Sequence, residues 1–258
     1  MISNARPSDA LITYMKESKM SEPLILYPQG CRRAIFVRRY KRFTVEALLD
    51  GEVVGVHTNN TGSMLGLLRE GQEIFISPAQ NPARKLKWTL EAVMPSGEMI
   101  GVNTSVPNRM LQLAFEAGVL PEVGGYSHIK REAKVGKSRL DGLFTDESGN
   151  LPDLWVECKN VTLVEDEVAC FPDAQTERGR KHLVELMELA AKGNRVAMFF
   201  FIQRTDGKCF GPAGVVDAEY AELFYKAVDA GVESWAYEAV ITEVGIGIGR
   251  KLSLTQCR

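Results

Sequence analysis

The sequence predicts a mixed α/β (α+β) chain in two parts: a small N-terminal β-barrel, then a larger domain in which helices and strands interleave. Three observations carry this reading. Over residues 24–77 the β-forming runs are short and broken by turn signals, with one brief helical piece among them. From Pro107 onward, runs with helical spacing alternate with apolar runs of strand length. Between the two parts, residues 77–87 (SPAQNPARKLK) hold two prolines and few apolar side chains, which marks a linker or long loop.

The chain has 258 residues, enough for two domains that each bury a core. Hydrophobic residues make up 45% and charged residues 25%, as in ordinary globular proteins. The net charge is -2, so any attraction to phosphate must come from local clusters. Cys31, Cys158, Cys170, Cys209 and Cys257 are odd in number, widely spaced and free of C-x-x-C pairs. That pattern argues against a disulfide framework or a zinc ribbon and fits a reducing cytoplasm. The longest apolar run, 196–202, is strand-sized, so no membrane partner is expected. Residues 1–23 are polar and weakly patterned and read as a poorly ordered extension.

In the first part, strands are expected over 24–27, 35–37, 46–49, 53–57 and 72–77. Asp50-Gly51 marks a hairpin turn, and 63–68 reads as a short helix or helical turn. Short strands interrupted by one helical piece suit a barrel of the OB type. Strands over 88–93 and 99–103 flank the turn at Pro95-Ser96-Gly97. We place the barrel at 24–84 and the second domain at 85–258, with the ownership of the 88–103 hairpin open.

The second part reads as a helix over 107–117, stopped by Gly118, then strands over 129–135, 140–144 and 154–159. A helix capped at Asp173 or Thr176 runs to Ala191, and a buried strand follows over 195–202. A last helix over 217–230 and strands over 232–240 and 246–254 close the chain.

Asp141 lies inside an apolar strand (SRLDGLF), and Glu157 and Lys159 lie on the next (LWVECK). Strand side chains alternate, so Glu157 and Lys159 share a face while Val156 and Cys158 point the other way. If the two strands pair, Asp141 comes beside Glu157, and the two carboxylates repel unless a cation lies between them. Mg²⁺ (or Mn²⁺) suits such a pair, since it takes a few carboxylate oxygens together with waters and substrate phosphate. Lys159 is then placed to orient a water or offset phosphate charge. Asp141, Glu157 and Lys159 are the candidate catalytic residues, the first two as metal ligands. Glu116, the carboxylate on the 107–117 helix, is the candidate fourth acid.

Two basic clusters accompany this constellation. Residues 32–42 hold six cations and no acid, and Arg38, Arg39, Tyr40, Lys41, Arg42 and Phe43 end the run. Cations bind phosphates and aromatics stack on unpaired bases, mostly without sequence choice. Lys130, Arg131, Lys134, Lys137 and Arg139 crowd one hairpin beside Glu132; lysines at a sheet edge also serve to prevent edge pairing. On the 176–191 helix, Thr176, Arg178 and His182 are candidates for facing the site, against the plainer reading of a polar helix face.

Several runs resemble the sugar fermentation stimulation protein A (SfsA) family: RRYKRF at 38–43, NTGSMLGLL at 60–68, GVNTSVPNR at 101–109, SRLD at 138–141, VECKNVTLVED at 156–166 and FPDAQTERGRKHL at 171–183. The resemblance spans about residues 24–258. It implies an N-terminal OB-like β-barrel followed by a PD-(D/E)xK restriction-endonuclease-like domain, and DNA binding with little sequence specificity. It also implies a regulatory role in sugar, notably maltose, metabolism. Three functions are therefore weighed: a Mg²⁺-dependent DNA nuclease, a non-cleaving DNA-binding transcriptional regulator on a nuclease-like fold, and a small-molecule hydrolase that uses the same metal and has no salt-dependent DNA affinity. The expected partner is DNA, single- or double-stranded, and a homodimer would suit cutting of both strands.

Overall fold

The computed structural model describes residues 24–64, 66–136 and 138–255. The extension expected over 1–23, Lys137 and Cys257 lie outside them. The first strand, β1 (Ile25–Leu26), does not join the barrel in which the sequence reading placed it. Ile25 pairs with Ile246 and Leu26 with Gly245, antiparallel, at the edge of the C-terminal sheet. Ile25 is buried there among residues of that domain.

The barrel is built from β2 (Arg32–Lys41), β3 (Thr44–Leu49), β4 (Glu52–His57), β5 (Glu73–Pro78) and β6 (Trp88–Val93), with β7 (Ile100–Gly101) added beside β6. The strand order is β4-β3-β2-β5-β6-β7, and a parallel pairing of β4 with β6 through Val56 and Trp88 closes five strands into an OB barrel. Alternate side chains, among them Val45, Ala47, Val56, Ile74, Ile76 and Leu90, fill the interior. Asp50 and Gly51 take φ of 52° and 87°, the left-handed pair that a two-residue hairpin turn requires.

β6 pairs with β5 and β7 with β6, so the hairpin whose ownership was open is hydrogen-bonded to the barrel sheet. Of the 63–68 segment, the described residues form a turn and no helix, with positive φ at Met64 and Gly66. That turn drives Met64 and Leu67 into the barrel core, where both are buried.

Beyond the barrel the chain forms α1 (Val106–Glu116), β8 (His128–Val135), β9 (Ser138–Thr145), β10 (Leu154–Val161), β11 (Leu163–Glu165) and β12 (Val168–Phe171). Then come α2 (Glu177–Ala190), β13 (Arg195–Ile202), β14 (Cys209–Pro212), α3 (Ala218–Asp229), β15 (Glu233–Ile241) and β16 (Gly245–Lys251). The main sheet has the order β1-β16-β15-β13-β10-β9-β8, with β10, β13 and β15 mutually parallel. α1 covers one face, where Val156, Cys158, Phe199 and Phe201 are buried. α2 and α3 cover the other, over Met198 and Phe200. Burial on both faces explains why β13 is apolar from Val196 to Ile202 instead of alternating. Thr176 caps α2 by accepting from Gly179 N at 3.0 Å, and Asp217 caps α3.

The small sheet β11-β12-β14 has no counterpart in the sequence reading. Its strands are three or four residues long and lack a period strong enough to register. No helix among the described residues is long and apolar enough to cross a membrane.

Candidate active site

β9 and β10 run antiparallel with Trp155 opposite Leu143 and Val156 opposite Gly142. Extending that register by one residue sets Glu157 opposite Asp141. The ladder stops one pair short, and the Asp141 carboxylate itself takes the next strand's amide: Cys158 N donates to Asp141 Oδ2 at 2.8 Å. The β8–β9 ladder also skips this level, where Glu132 has a φ of 49°. The sheet opens at Asp141, and its side chain takes up the freed hydrogen-bonding capacity.

Glu157 is 3% exposed. Lys159 Nζ donates to its Oε1 at 2.6 Å, and His182 Nδ1 contacts the same oxygen. Lys159 Nζ also lies 3.2 Å from His182 Nδ1, closing a triangle of acid, lysine and imidazole. Glu157 Oε2 is buried and has no hydrogen-bond partner among the described residues. Burial pushes the Glu157 carboxyl pKa up, but the Lys159 ammonium and the His182 contact outweigh it and hold the carboxyl below its usual range. Asp141 behaves oppositely. Burial, and then the Glu157 charge, raise it to about 6 against the pull of the Cys158 amide, Lys159 and Asn108.

The helix contribution differs from expectation. Asn108, in the first turn of α1, donates through Nδ2 to Asp141 Oδ1 at 2.5 Å. Glu116 ends the same helix, eight residues on and therefore about 12 Å along its axis. It is exposed and accepts from Gln112 at 2.7 Å, so it does not reach Asp141. A search for acids could not find Asn108, although it lies in the GVNTSVPNR run. On α2, His182 reaches Glu157, and Arg178 lines a recess of about 410 Å³ together with Asp141, Ser138, Lys134 and Arg139. Thr176 serves as the helix cap. Among the described residues no three His, Cys, Asp or Glu side chains gather as a metal cluster.

The basic run forms the β2–β3 hairpin. Arg38 pairs with Glu46 at 2.6 Å. Tyr40 is 49% exposed, with the Arg38 guanidinium and the Lys41 ammonium 5.6 and 5.5 Å from its ring centre. Arg42 lies over the Phe43 ring at 5.6 Å, and Phe43 stacks on His57. Arg39 departs from the expected outward role. Its guanidinium donates to the carbonyls of Gly62 at 3.0 Å and of Asn60 and Arg42 at 2.8 Å, so it clamps the loop after β4. On the other cluster, β8 is the sheet edge. Lys130 is exposed there, Arg131 reaches Gln112 at 3.3 Å, and Arg139 lies 3.8 Å from Glu132.

A closed OB barrel joined to a mixed sheet flanked by helices, with paired carboxylates on adjacent strands, defines an OB plus restriction-endonuclease-like protein. The family model described as the SfsA N-terminal OB domain matches residues 37–102, and the sugar fermentation stimulation protein RE domain matches 105–245. The chain belongs to the sugar fermentation stimulation protein (SfsA) family. It is 85% identical over 239 residues to the sugar fermentation stimulation protein homolog of Maridesulfovibrio salexigens, covering 93% of this chain and 100% of that one. It is 51% identical to the homolog of Syntrophobacter fumaroxidans, over 92% of this chain and 90% of that one. Among solved structures, the SfsA of Pyrococcus furiosus in complex with Ca²⁺ is similar, with a TM-score of 0.83 and 28% identity. That match covers 91% of this chain and all of the other. The seam between the two family models, at 102–105, falls just after β7 ends at Gly101.

Proposed function

We propose that the protein is a divalent-cation-dependent phosphodiesterase acting on DNA, with Asp141 and Glu157 as carboxylate ligands and Lys159 beside the reacting phosphate. The observation that carries this reading is an orphan. Among the described residues Glu157 Oε2 is buried without a partner, close to a second, half-buried carboxyl whose pKa is lifted to about 6. A buried acceptor without a donor costs about 1–3 kcal/mol, more when charged. A cation between the two carboxylates removes that penalty and their mutual repulsion, so the residues fit the group. When bound, Mg²⁺ or Mn²⁺ would hold a phosphate oxygen and make a nearby water a better nucleophile. The Ca²⁺ in the Pyrococcus relative supports a divalent ion for the family.

The chain's own side chains do the rest. Asn108 and the Cys158 amide fix the Asp141 carboxylate from two directions. His182 and Glu157 hold the Lys159 ammonium on the strand that carries the acid. There it can orient a water or offset charge on the phosphate as the bond to the leaving oxygen breaks.

A second reading is a regulator that binds DNA and does not cut. It draws on the side-chain triangle, which already occupies Glu157 Oε1 with the Lys159 ammonium and the His182 ring. It also draws on the sugar fermentation stimulation name of the relatives. Incubation with labelled DNA in Mg²⁺ or in EDTA separates the two. Cleavage that needs the metal and disappears in Asp141→Ala and Glu157→Ala, with DNA affinity kept, supports the phosphodiesterase. Binding with no cleavage of single-stranded, duplex or branched DNA supports the regulator.

A further inference from the structure

We infer that the cavity where the barrel, β1 and the first turn of α1 meet is a binding site for a small hydroxylated phosphomonoester, a sugar phosphate or a nucleoside monophosphate. This site stands apart from the phosphodiesterase reading, since its lining shares no residue with the recess at Asp141.

The cavity has a volume of about 740 Å³, within the range of small-molecule sites. Separate stretches of chain supply its polar groups. Tyr27 follows β1, Ser77 and Glu91 come from β5 and β6, Arg84 from the segment between them, and Asn103 and Arg109 from the entry and first turn of α1. Glu91 is 8% exposed. Ser77 Oγ donates to its Oε1 at 2.6 Å and Asn103 Nδ2 to its Oε2 at 2.8 Å. Asn103 is fixed in turn, because its Oδ1 accepts from Asn59 Nδ2 at 2.6 Å and from Ser105 Oγ at 2.7 Å. Neutral donors therefore aim the carboxylate and leave its charge in place, and each oxygen keeps a lone pair for one donor more. The Tyr27 hydroxyl is buried with no hydrogen-bond partner among the described residues. Burial pushes its pKa up, Glu91 and Cys31 add to the rise, and Arg109 opposes it, so the hydroxyl stands near both Glu91 and Arg109. Buried hydroxyls normally find a partner, and this one is free to meet a polar atom of a ligand.

The cationic groups keep their charge as well. Arg109 is exposed and forms no ion pair with any described residue. Arg84 donates through Nε to Leu86 O at 2.6 Å and through Nη2 to Trp88 O at 2.7 Å. These carbonyls hold the guanidinium in place without cancelling its charge, and its Nη1 has no partner among the described residues. α1 starts here with no acid in its first turn and no side-chain cap, so its amide dipoles add positive potential.

This mixture of groups selects the ligand. Two guanidiniums and a helix N-terminus offer more donors than a carboxylate can take, and suit the three terminal oxygens of a phosphomonoester. Inorganic phosphate alone would leave Glu91 and Tyr27 unused. A neutral polyol would leave the arginines unused, and an apolar molecule would strand a buried carboxylate. One molecule that carries both a phosphate and hydroxyl groups uses all of them, its hydroxyls donating to Glu91.

The test is isothermal titration calorimetry of the full chain in EDTA, with ribose-5-phosphate and AMP as probes and inorganic phosphate and ribose as controls. At least one of the two esters is expected to bind with a Kd of about 0.1 mM or tighter, and about tenfold or more tighter than either control. Which ester binds better tells a sugar phosphate from a nucleotide. Arg109→Ala is expected to weaken that ester about tenfold. Tyr27→Phe weakens it about threefold and keeps the melting temperature of the free protein at or above the wild-type value, because no hydrogen bond among the described residues is lost. A hydroxyl with a structural role alone would instead lower the melting temperature and leave the affinity as it was, which counts against the site. Binding of inorganic phosphate as tight as that of the esters, no binding of either ester up to about 5 mM, or full ester affinity in both Arg109→Ala and Tyr27→Phe overturns it.

Discussion

The carboxylate of Asp141 accepts the backbone N–H of Cys158, the residue between Glu157 and Lys159, at 2.8 Å. A side chain thus takes the place of a ladder bond, and one candidate ligand is fixed to the strand that carries the other. Since the bond is to main chain, the spacing of the two carboxylates depends on the sheet and not on a flexible rotamer.

Asp141 makes metal-free stability depend on pH. Its folded value, about 6, lies above its unfolded value of about 3.8. A raised carboxyl stabilises the fold fully below the unfolded value, and that contribution disappears as pH rises through the folded one. The loss between pH 4 and 6 is at most about 3 kcal/mol. In EDTA the wild type is expected to melt lower at pH 7.5 than at pH 5. Asp141→Asn flattens this dependence, as read by thermal denaturation across that range.

Divalent binding reverses the trend. Mn²⁺ or Mg²⁺ is expected to raise the melting temperature more at pH 7.5 than at pH 5, where protons compete for Asp141. Saturation at a hundredfold excess over Kd contributes about 2.7 kcal/mol. Glu157→Gln removes the response. A metal-induced shift that survives this substitution at full size counts against the assigned ligands.

Asn108 and Glu116 give opposite results on one helix. Asn108→Ala frees Asp141 Oδ1 and is expected to weaken Mn²⁺ binding tenfold to a hundredfold, the usual effect of removing a group that orients a ligand. Glu116→Gln leaves Mn²⁺ affinity unchanged, because its partner is Gln112. Titration followed by electron paramagnetic resonance compares the two directly.

Arg39 and Arg42 divide the labour of the hairpin. Arg39→Ala leaves three carbonyls without their donor and is expected to lower stability by about 1–3 kcal/mol in urea denaturation. Arg42→Ala leaves the denaturation midpoint at its wild-type value and weakens DNA binding. A reversed pattern assigns the clamp to the wrong arginine.

Local patterning determined a good deal. The two-residue period of LWVECK puts Glu157 and Lys159 on one face, opposite Val156 and Cys158, as the structure has them. The unbroken apolar run of β13 marks a strand covered on both sides, and Thr176 and Asp217 mark helix starts through their side-chain oxygens. These are near-neighbour effects, set by backbone geometry and by which side chains avoid water. Partner choice is another matter. That Ile25 pairs with Ile246, that β4 meets β6, that Asn108 and not Glu116 reaches Asp141, and that Arg39 turns inward all join residues far apart in the chain. Every open strand edge offers the same amides and carbonyls, so which edge takes which strand depends on how the whole chain packs.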